Sequence, residues 1–257
     1  MSRLCSLISI WTILAAMKET TATTKRKLEG ASVTSQHPLH SSQEPKAIPR
    51  TVTNTPISSA IPVPTSYGFI LFPAFEVIDV FGPLSPLNLL SLNQKMNLHL
   101  LSNSLSATST RPHATAMNSA NSFFAESIPP THTHSPPQPP AADIQPHIDF
   151  LAATYPKLQY LVTVCTGAGL AARAGVLDGR RATTSKREWN ATTSLRPQVN
   201  WVSHARWLRD GNVFSGSGVT AAIDTTLAFI EHVYENDTAT EIANSIEHTR
   251  WPDASYA

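Results

Sequence analysis

A single cysteine, Cys165, stands where an apolar run gives way to small residues, in Tyr160-Leu161-Val162-Thr163-Val164-Cys165-Thr166-Gly167. Leu161, Val162 and Val164 suit a strand covered on both faces. Ala168, Leu170, Ala171, Ala172 and Ala174 favour helix. The thiol therefore falls at a strand-to-helix turn, where unpaired N–H groups and the helix dipole favour thiolate. The competing reading is an inert core residue, which a lone cysteine after an apolar run more often is. The second residue is Asp79, in Val77-Ile78-Asp79-Val80-Phe81-Gly82-Pro83. An acid in such apolar company needs a partner or a raised pKa. Alternatively it caps the helix that Pro83 helps to start, and the local sequence favours the cap.

The elements that must position these two residues can be read along the chain. Tyr67 to Phe72 is a short apolar strand stopped by Pro73, and Leu84, Leu87, Leu89 and Leu90 mark a helix after it. Met96 to Leu101 reads as a second strand. Residues 102–122 read as loop with short edge strands, with Phe123 and Phe124 as anchors. Ile144, Ile148, Leu151 and Ala152 mark a helix ending near Pro156, which leads into the Cys165 strand. Gly175 to Gly179 is a helix stop, and Trp189 sits in a short element. Val199 to Val202 and Ala205 to Leu208 suit strands, and Asp210-Gly211-Asn212 signals a hairpin returning through Val213 to Ser215. Val219 to Tyr234 is an amphipathic helix, and a last helix spans about Thr238 to Ile246. Strands alternating with helices give an α/β fold built on a doubly wound, mostly parallel sheet. Chemistry in such sheets gathers beyond the carboxyl ends of the strands, which is where both Asp79 and Cys165 fall.

The remainder of the chain sets bounds. Its 257 residues carry a net charge of +1, which gives no reason to expect nucleic acid as a partner. Two cysteines, Cys5 and Cys165, make no disulfide framework, and a free Cys165 fits a reducing compartment. Residues 1–65 hold seven basic against three acidic residues, the rest twelve against fifteen. Residues 1–17 have the charge-then-apolar pattern of a leader, with Ala15-Ala16 at the cleavage position, although a disordered tail explains them as well. They are too short to span a membrane. Residues 18–65 are rich in Thr, Ser and Pro, a composition that does not fold. The expected division is thus a tail over 1–65, a domain over 66–248 and a frayed end over 249–257. The location is cytoplasmic, or secreted if residues 1–17 act as a leader. Residues 129–142 interrupt the domain with prolines that exclude strand and helix. His113, His132, His134 and His147 lie around this stretch without cysteine or carboxylate company, so no metal site is expected. The phosphate-binding glycine patterns are absent.

Four motifs occur in order: Phe72-Pro73 through Asp79 to Gly82-Pro83; Val164-Cys165-Thr166-Gly167; Gly175 through Gly179-Arg180-Arg181 to Thr184; and Asp210-Gly211-Asn212 through Ser217-Gly218 to Asp224. Together they resemble the DJ-1/PfpI superfamily, in the branch that contains isonitrile hydratase and its fungal relatives. The resemblance implies a flavodoxin-like three-layer sandwich with Cys165 as nucleophile on an elbow. It also implies Asp79 as proton-transferring acid, the Thr166 backbone N–H as oxyanion donor, and substrate contacts at Gly167 and Gly82. The implied activity is that of a hydro-lyase on a small carbon–nitrogen or carbonyl electrophile, acting as a homodimer without cofactor, metal or nucleic acid. The alternative is a non-catalytic redox sensor or structural member. Relatives carry a central strand and a Gly-Gly loop before the helix at Asp143. Here prolines stand in that place, so either coding sequence has been lost there or the sheet lacks one central strand. No histidine follows Cys165 as in the peptidase-like branch, and His204 reads as a surface residue.

Overall fold

In a computed structural model of the chain, residues 13–17, 63–112, 117–134, 144–252 and 254 are described, with 13–17 as backbone only. They fall in one contact unit, residues 1–20 with 63–257. The expectations for residues 1–12, for 18–62 and for His113 lie outside the described residues, as does most of the proline-rich stretch.

The main sheet has seven strands. In chain order the elements are β1 (Ile13–Met17), β2 (Ser66–Ile70), α1 (Val77–Ser91), β3 (Asn97–Ser102), β4 (Thr108–Ser109), β5 (Ser127–Ile128) and β6 (His132–Thr133). They continue with α2 (Gln145–Thr154), β7 (Leu158–Val164), α3 (Gly167–Arg173), β8 (Arg181–Ala182), α4 (Trp189–Thr193) and β9 (Asn200–Trp201), and end with β10 (Trp207–Asp210), β11 (Val213–Gly216), α5 (Ala221–Tyr234) and α6 (Asn236–Ser245). The strand order is β10-β11-β7-β1-β2-β3-β6. Pairings β11–β7, β2–β3 and β3–β6 are parallel, while β10–β11 and both pairings of β1 are antiparallel. The sheet is therefore mixed: helices lie in the crossovers that join the parallel pairs β2–β3 and β7–β11, while the connection from β3 to its parallel partner β6 carries the β4–β5 pair.

The side-chain alternation of the strands builds the three layers. Tyr67 and Phe69 of β2, Tyr160 and Val162 of β7 and Phe214 of β11 join one apolar cluster with α1, α5 and α6. Ile70, Leu161 and Val213, each one residue out of phase, join a second with α2 and α3. Period-two alternation thus sends successive residues to opposite helical layers. The first cluster also holds a polar contact between the hydroxyls of Tyr67 and Tyr234, 2.6 Å apart. That partnership meets the requirement that a buried phenol be satisfied.

The centre of the sheet departs from expectation in an informative way. No strand from the described part of 129–142 enters between β2 and β7. The position is filled by Ile13–Met17, running antiparallel to both neighbours. Two buried strands with open inner edges would leave a row of backbone groups unpaired, and the apolar N-terminal segment supplies the missing ladder. The leader-like Ala15-Ala16 lies inside this strand.

Other expectations shift in detail. The proline-rich stretch does contain a strand, His132–Thr133, because a two-residue edge pairing avoids every proline. Helix α1 begins at Val77, before Pro83, and holds Pro83 and Pro86 inside it. Gly82 has no Cβ to meet the Pro83 ring, which relaxes the restriction on the residue before proline. Phe123 and Phe124 are 77% and 93% exposed, so they anchor nothing; an Arg111 guanidinium stacks over the Phe123 ring instead. The C-terminal segment is tied down through Trp251, whose N–H donates to Asp224 and whose carbonyl accepts from the Trp207 indole.

Gly216, at the end of β11, packs against α5, where a Cβ would lie 2.3 Å from Thr225 Oγ1. That hydroxyl is fixed by donation to the Ala221 carbonyl. Gly216→Ala is expected to lower stability by about 1–3 kcal/mol, the usual cost of overpacking, in chemical denaturation. Adding Thr225→Ala should recover part of the loss, and a fully additive double variant would contradict this contact.

Candidate active site

Cys165 lies at the turn from β7 into α3 with φ +53°, a left-handed conformation that costs a non-glycine residue energy. Three contacts hold it there. Its N–H donates to Gly216 O at 3.0 Å, continuing the β7–β11 ladder one residue beyond the strand. Its carbonyl accepts from Thr184 Oγ1 at 2.8 Å and from the Ala168 N–H at 3.5 Å. The strained turn presents the thiol toward Asp79.

Asp79 is the third residue of α1 and is fully buried. The N-cap position belongs to Glu76, and no side chain caps the helix. The cap role favoured by the local sequence is therefore corrected: the carboxyl turns inward because Val77 starts the helix earlier than Pro83 suggests. Neither Asp79 oxygen accepts a hydrogen bond of ordinary geometry from a described residue. The carboxyl nevertheless faces the Cys165 thiol closely enough for each to perturb the other.

The electrostatics follow from that burial. Desolvation, reinforced by the Glu76 charge, pushes Asp79 up to about 7, against a partial lowering from the thiol contact. Burial pushes the Cys165 thiol up to about 12, and the Asp79 charge adds to it. The Thr166 backbone N–H and the Ser185 hydroxyl both point at the sulfur and pull the other way, but they do not prevail. The expectation of a thiolate favoured by the helix start is thus overturned. The elbow lies only 5% exposed beside an acid, and α3 is a helix of seven residues, too short to offset both effects. Near neutral pH the site therefore holds a protonated thiol beside a carboxyl whose pKa is raised to about 7. That arrangement can pass a proton between sulfur, carboxyl and a third atom placed between them.

The structure brings Asp79, Cys165 and the Thr166 amide together, as the sequence motifs suggested. Gly167 is buried at the first turn of α3, directly after Thr166. Gly82 sits one turn beyond Asp79, where α1 crosses α5: a Cβ there would be 3.3 Å from Ile223 and 3.7 Å from Ala222. Ala222 in turn clusters with Val164 and Cys165, so Gly82 sets how closely α5 approaches the elbow. His204 is exposed. His134 and His147 form a pair, Nε2 to Nδ1 at 2.6 Å, with burial lowering them to about 4 and about 3. Among the described residues, no cluster of three or more metal-ligating side chains occurs. Sequence reading missed Ser185 and Glu76. Ser185 directly follows the quoted Arg181-to-Thr184 motif, and its place beside the thiol depends on the Thr184 hydroxyl docking onto the Cys165 carbonyl.

The Asp79 shift carries a stability consequence. A carboxyl near 4 when unfolded and about 7 when folded adds stability fully below its unfolded pKa, and that stability is lost as pH rises through 7. Above that range the fold carries a buried ionised carboxylate, a penalty on the order of 4 kcal/mol at most. Asp79→Asn is therefore expected to unfold at higher denaturant than the parent at about pH 8, with the difference shrinking by more than half at about pH 5. An equal difference at both pH values would show that Asp79 ionises normally.

Comparison with known proteins places the arrangement. No protein-family model matches the chain. It is 29% identical over 190 residues to the isonitrile hydratase of Pseudomonas putida, covering 72% of this chain and 79% of that one. A ThiJ/PfpI family protein from Pseudomonas syringae superposes with a TM-score of 0.57 at 21% identity, over 73% of this chain and 76% of the other. A DJ-1 superfamily protein from Salmonella typhimurium, solved as a cysteine-to-alanine variant, does so at 0.54 and 21%, over 73% and 98%. Among the described residues no helix is long and apolar enough to cross a membrane. The chain is thus similar in sequence to an isonitrile hydratase and shares the fold of these ThiJ/PfpI and DJ-1 structures.

Proposed function

We propose that the chain is a cysteine-dependent hydratase of a small isonitrile, with Cys165 as nucleophile and Asp79 as proton shuttle. The observation that carries this reading is the buried Asp79 carboxyl, raised to about 7 against a thiol that remains protonated. A general acid–base group works best with a pKa near the operating pH. Isonitriles add a proton and a nucleophile at the same carbon, so a thiol and a carboxyl converging on one atom suit them.

The steps balance as follows. The Asp79 carboxylate takes the proton from the Cys165 thiol, and the resulting carboxylic acid gives it to the isonitrile carbon as sulfur bonds there. The product, a covalent thioimidate R–N=CH–S–Cys165, leaves Asp79 ionised again. Water then adds to that carbon, with Asp79 taking one of its protons and passing it to the imine nitrogen; the new hydroxyl gives up its proton as C=O forms and the C–S bond breaks, and that proton returns through Asp79 to the thiol as the N-substituted formamide departs. The Thr166 amide and the Ser185 hydroxyl, both aimed at the sulfur, stabilise negative charge there while it lasts. As written, the reaction needs only thiol, carboxyl, amide, hydroxyl and water. The small substrate fits a thiol that is nearly closed off from solvent.

A redox-sensing role fits less well. Oxidation follows thiolate character and exposure, and Cys165 has little of either.

Incubation of the purified protein with cyclohexyl isocyanide, with the formamide followed by NMR, tests the assignment. Cys165→Ala should abolish turnover while the unfolding transition remains cooperative, and hydration that survives this change removes Cys165 from the role. Asp79→Asn should lower kcat/KM by about 10²–10⁴. For the parent, kcat/KM should rise with pH and level off above about 7, because the reacting state needs Asp79 ionised to take the thiol proton. If no isonitrile is consumed while peroxide adds oxygen at Cys165, the sensor reading replaces this one.

A further inference from the structure

The place of β1 has a consequence that does not depend on the proposed reaction. Ile13–Met17 pairs residue for residue with β2 on one side, from Ile13 opposite Ile70 to Met17 opposite Ser66. On the other side it pairs with β7, from Ile13 opposite Thr163 to Met17 opposite Leu158, with an irregularity at its last step. Both neighbours belong to the folded body and are held by the two apolar layers described above. The slot between them is thus a strand acceptor whose walls are assembled from residues 66–70 and 158–164.

The covalent link from β1 to the body does not determine which copy fills the slot. A parallel strand joined by a right-handed crossover is committed to its own sheet. β1 is antiparallel instead, and 48 positions, residues 18–65, separate it from β2. A link of that many residues can reach at most roughly 160 Å, several times the diameter of a domain of this size. The ladder contacts are the same whether the strand comes from the same chain or another. The balance is then set by the chain link's effective concentration against the concentration of protein, with effective concentrations of about 1 mM for short links and lower for longer ones.

We propose that the β2–β7 slot accepts Ile13–Met17 from a second copy of this chain, giving strand-exchanged dimers in which each nucleophile-bearing strand is flanked by its partner's N-terminal strand. Exchange becomes substantial as the protein approaches the chain link's effective concentration. The interface is the full double ladder of β1, so it forms only when β1 is withdrawn from its own sheet. Dimers made at high concentration should therefore revert slowly on dilution.

The register offers a direct probe. Met17 and Ser66 are backbone partners at the open end of the ladder, at a separation compatible with a disulfide. Ser66→Cys is nearly isosteric, and Met17→Cys lies at the end of the strand. The two changes are made in a Cys5→Ser background. Equal amounts of ¹⁴N- and ¹⁵N-labelled protein are unfolded, refolded together at a series of concentrations and oxidised. The peptides containing residues 17 and 66 are then read by mass spectrometry. Mixed-isotope pairs should be a trace at about 10 µM, reach about a quarter of all linked pairs where the protein matches the chain link's effective concentration (about 1 mM or below), and rise toward half beyond it. Linked pairs of one isotope only, at every concentration, would show that the strand never leaves its own copy and overturn the proposal. The absence of any link would show that β1 does not occupy the slot, which overturns it equally. Should the double variant fail to fold, the unsubstituted chain is refolded as the same isotope mixture and read by native mass spectrometry. Mixed dimers that vanish on deletion of residues 1–17 support exchange, and their absence near 1 mM overturns it.

Discussion

Everything at the site hangs on the backbone pairing of β7. That strand is laddered on one side to β11 and on the other to β1. The β11 ladder runs one hydrogen bond past the strand end, where Gly216 accepts from the Cys165 N–H. This last bond, with the Thr184 hydroxyl on the Cys165 carbonyl, holds the residue at positive φ. A strained elbow persists only when its surroundings over-determine it. The close approach of α5 to Gly216, and of α1 to α5 at Gly82, makes the same region too tightly packed to relax.

The chemistry follows from what this rigidity encloses. Two acids of different kind, a thiol and a carboxyl, share a space largely closed to solvent, so neither ionises with ease and each resists the ionisation of the other. The pair therefore holds at most one negative charge near neutral pH. A pair of this kind is poor at presenting a free thiolate and well suited to moving a proton while a carbon–sulfur bond forms. Burial holds the carboxyl above its ordinary range, and the Glu76 charge at the helix start adds to it.

Several of these features were legible in the sequence because they are local. The apolar run before Cys165, the alanines after it, and Asp210-Gly211-Asn212 each state one element and one turn, and the elements formed as read. The convergence of Asp79 with Cys165 followed from the rule that strand ends gather in one crevice. What stayed hidden was non-local. Nothing within residues 13–17 marks them as a sheet strand; the open edges of β2 and β7 do. The thiolate expected at a helix start was defeated by burial, which no window of neighbouring residues reports. Pro83 and Pro86 inside α1 are tolerated because of a preceding glycine and tertiary packing, and Ser185 reaches the thiol only through the docking of Thr184.

The claim on which the account rests is the protonation of Asp79 next to a neutral thiol. Infrared difference spectroscopy, with Asp79→Asn as the blank, reads it directly through the carboxylic-acid C=O stretch. The account predicts that this band is present at about pH 5, is lost as pH rises through about 7, and is accompanied throughout by an S–H stretch that Cys165→Ala removes. An Asp79 carboxylate already ionised at about pH 5, or an S–H band absent at neutral pH, would contradict it.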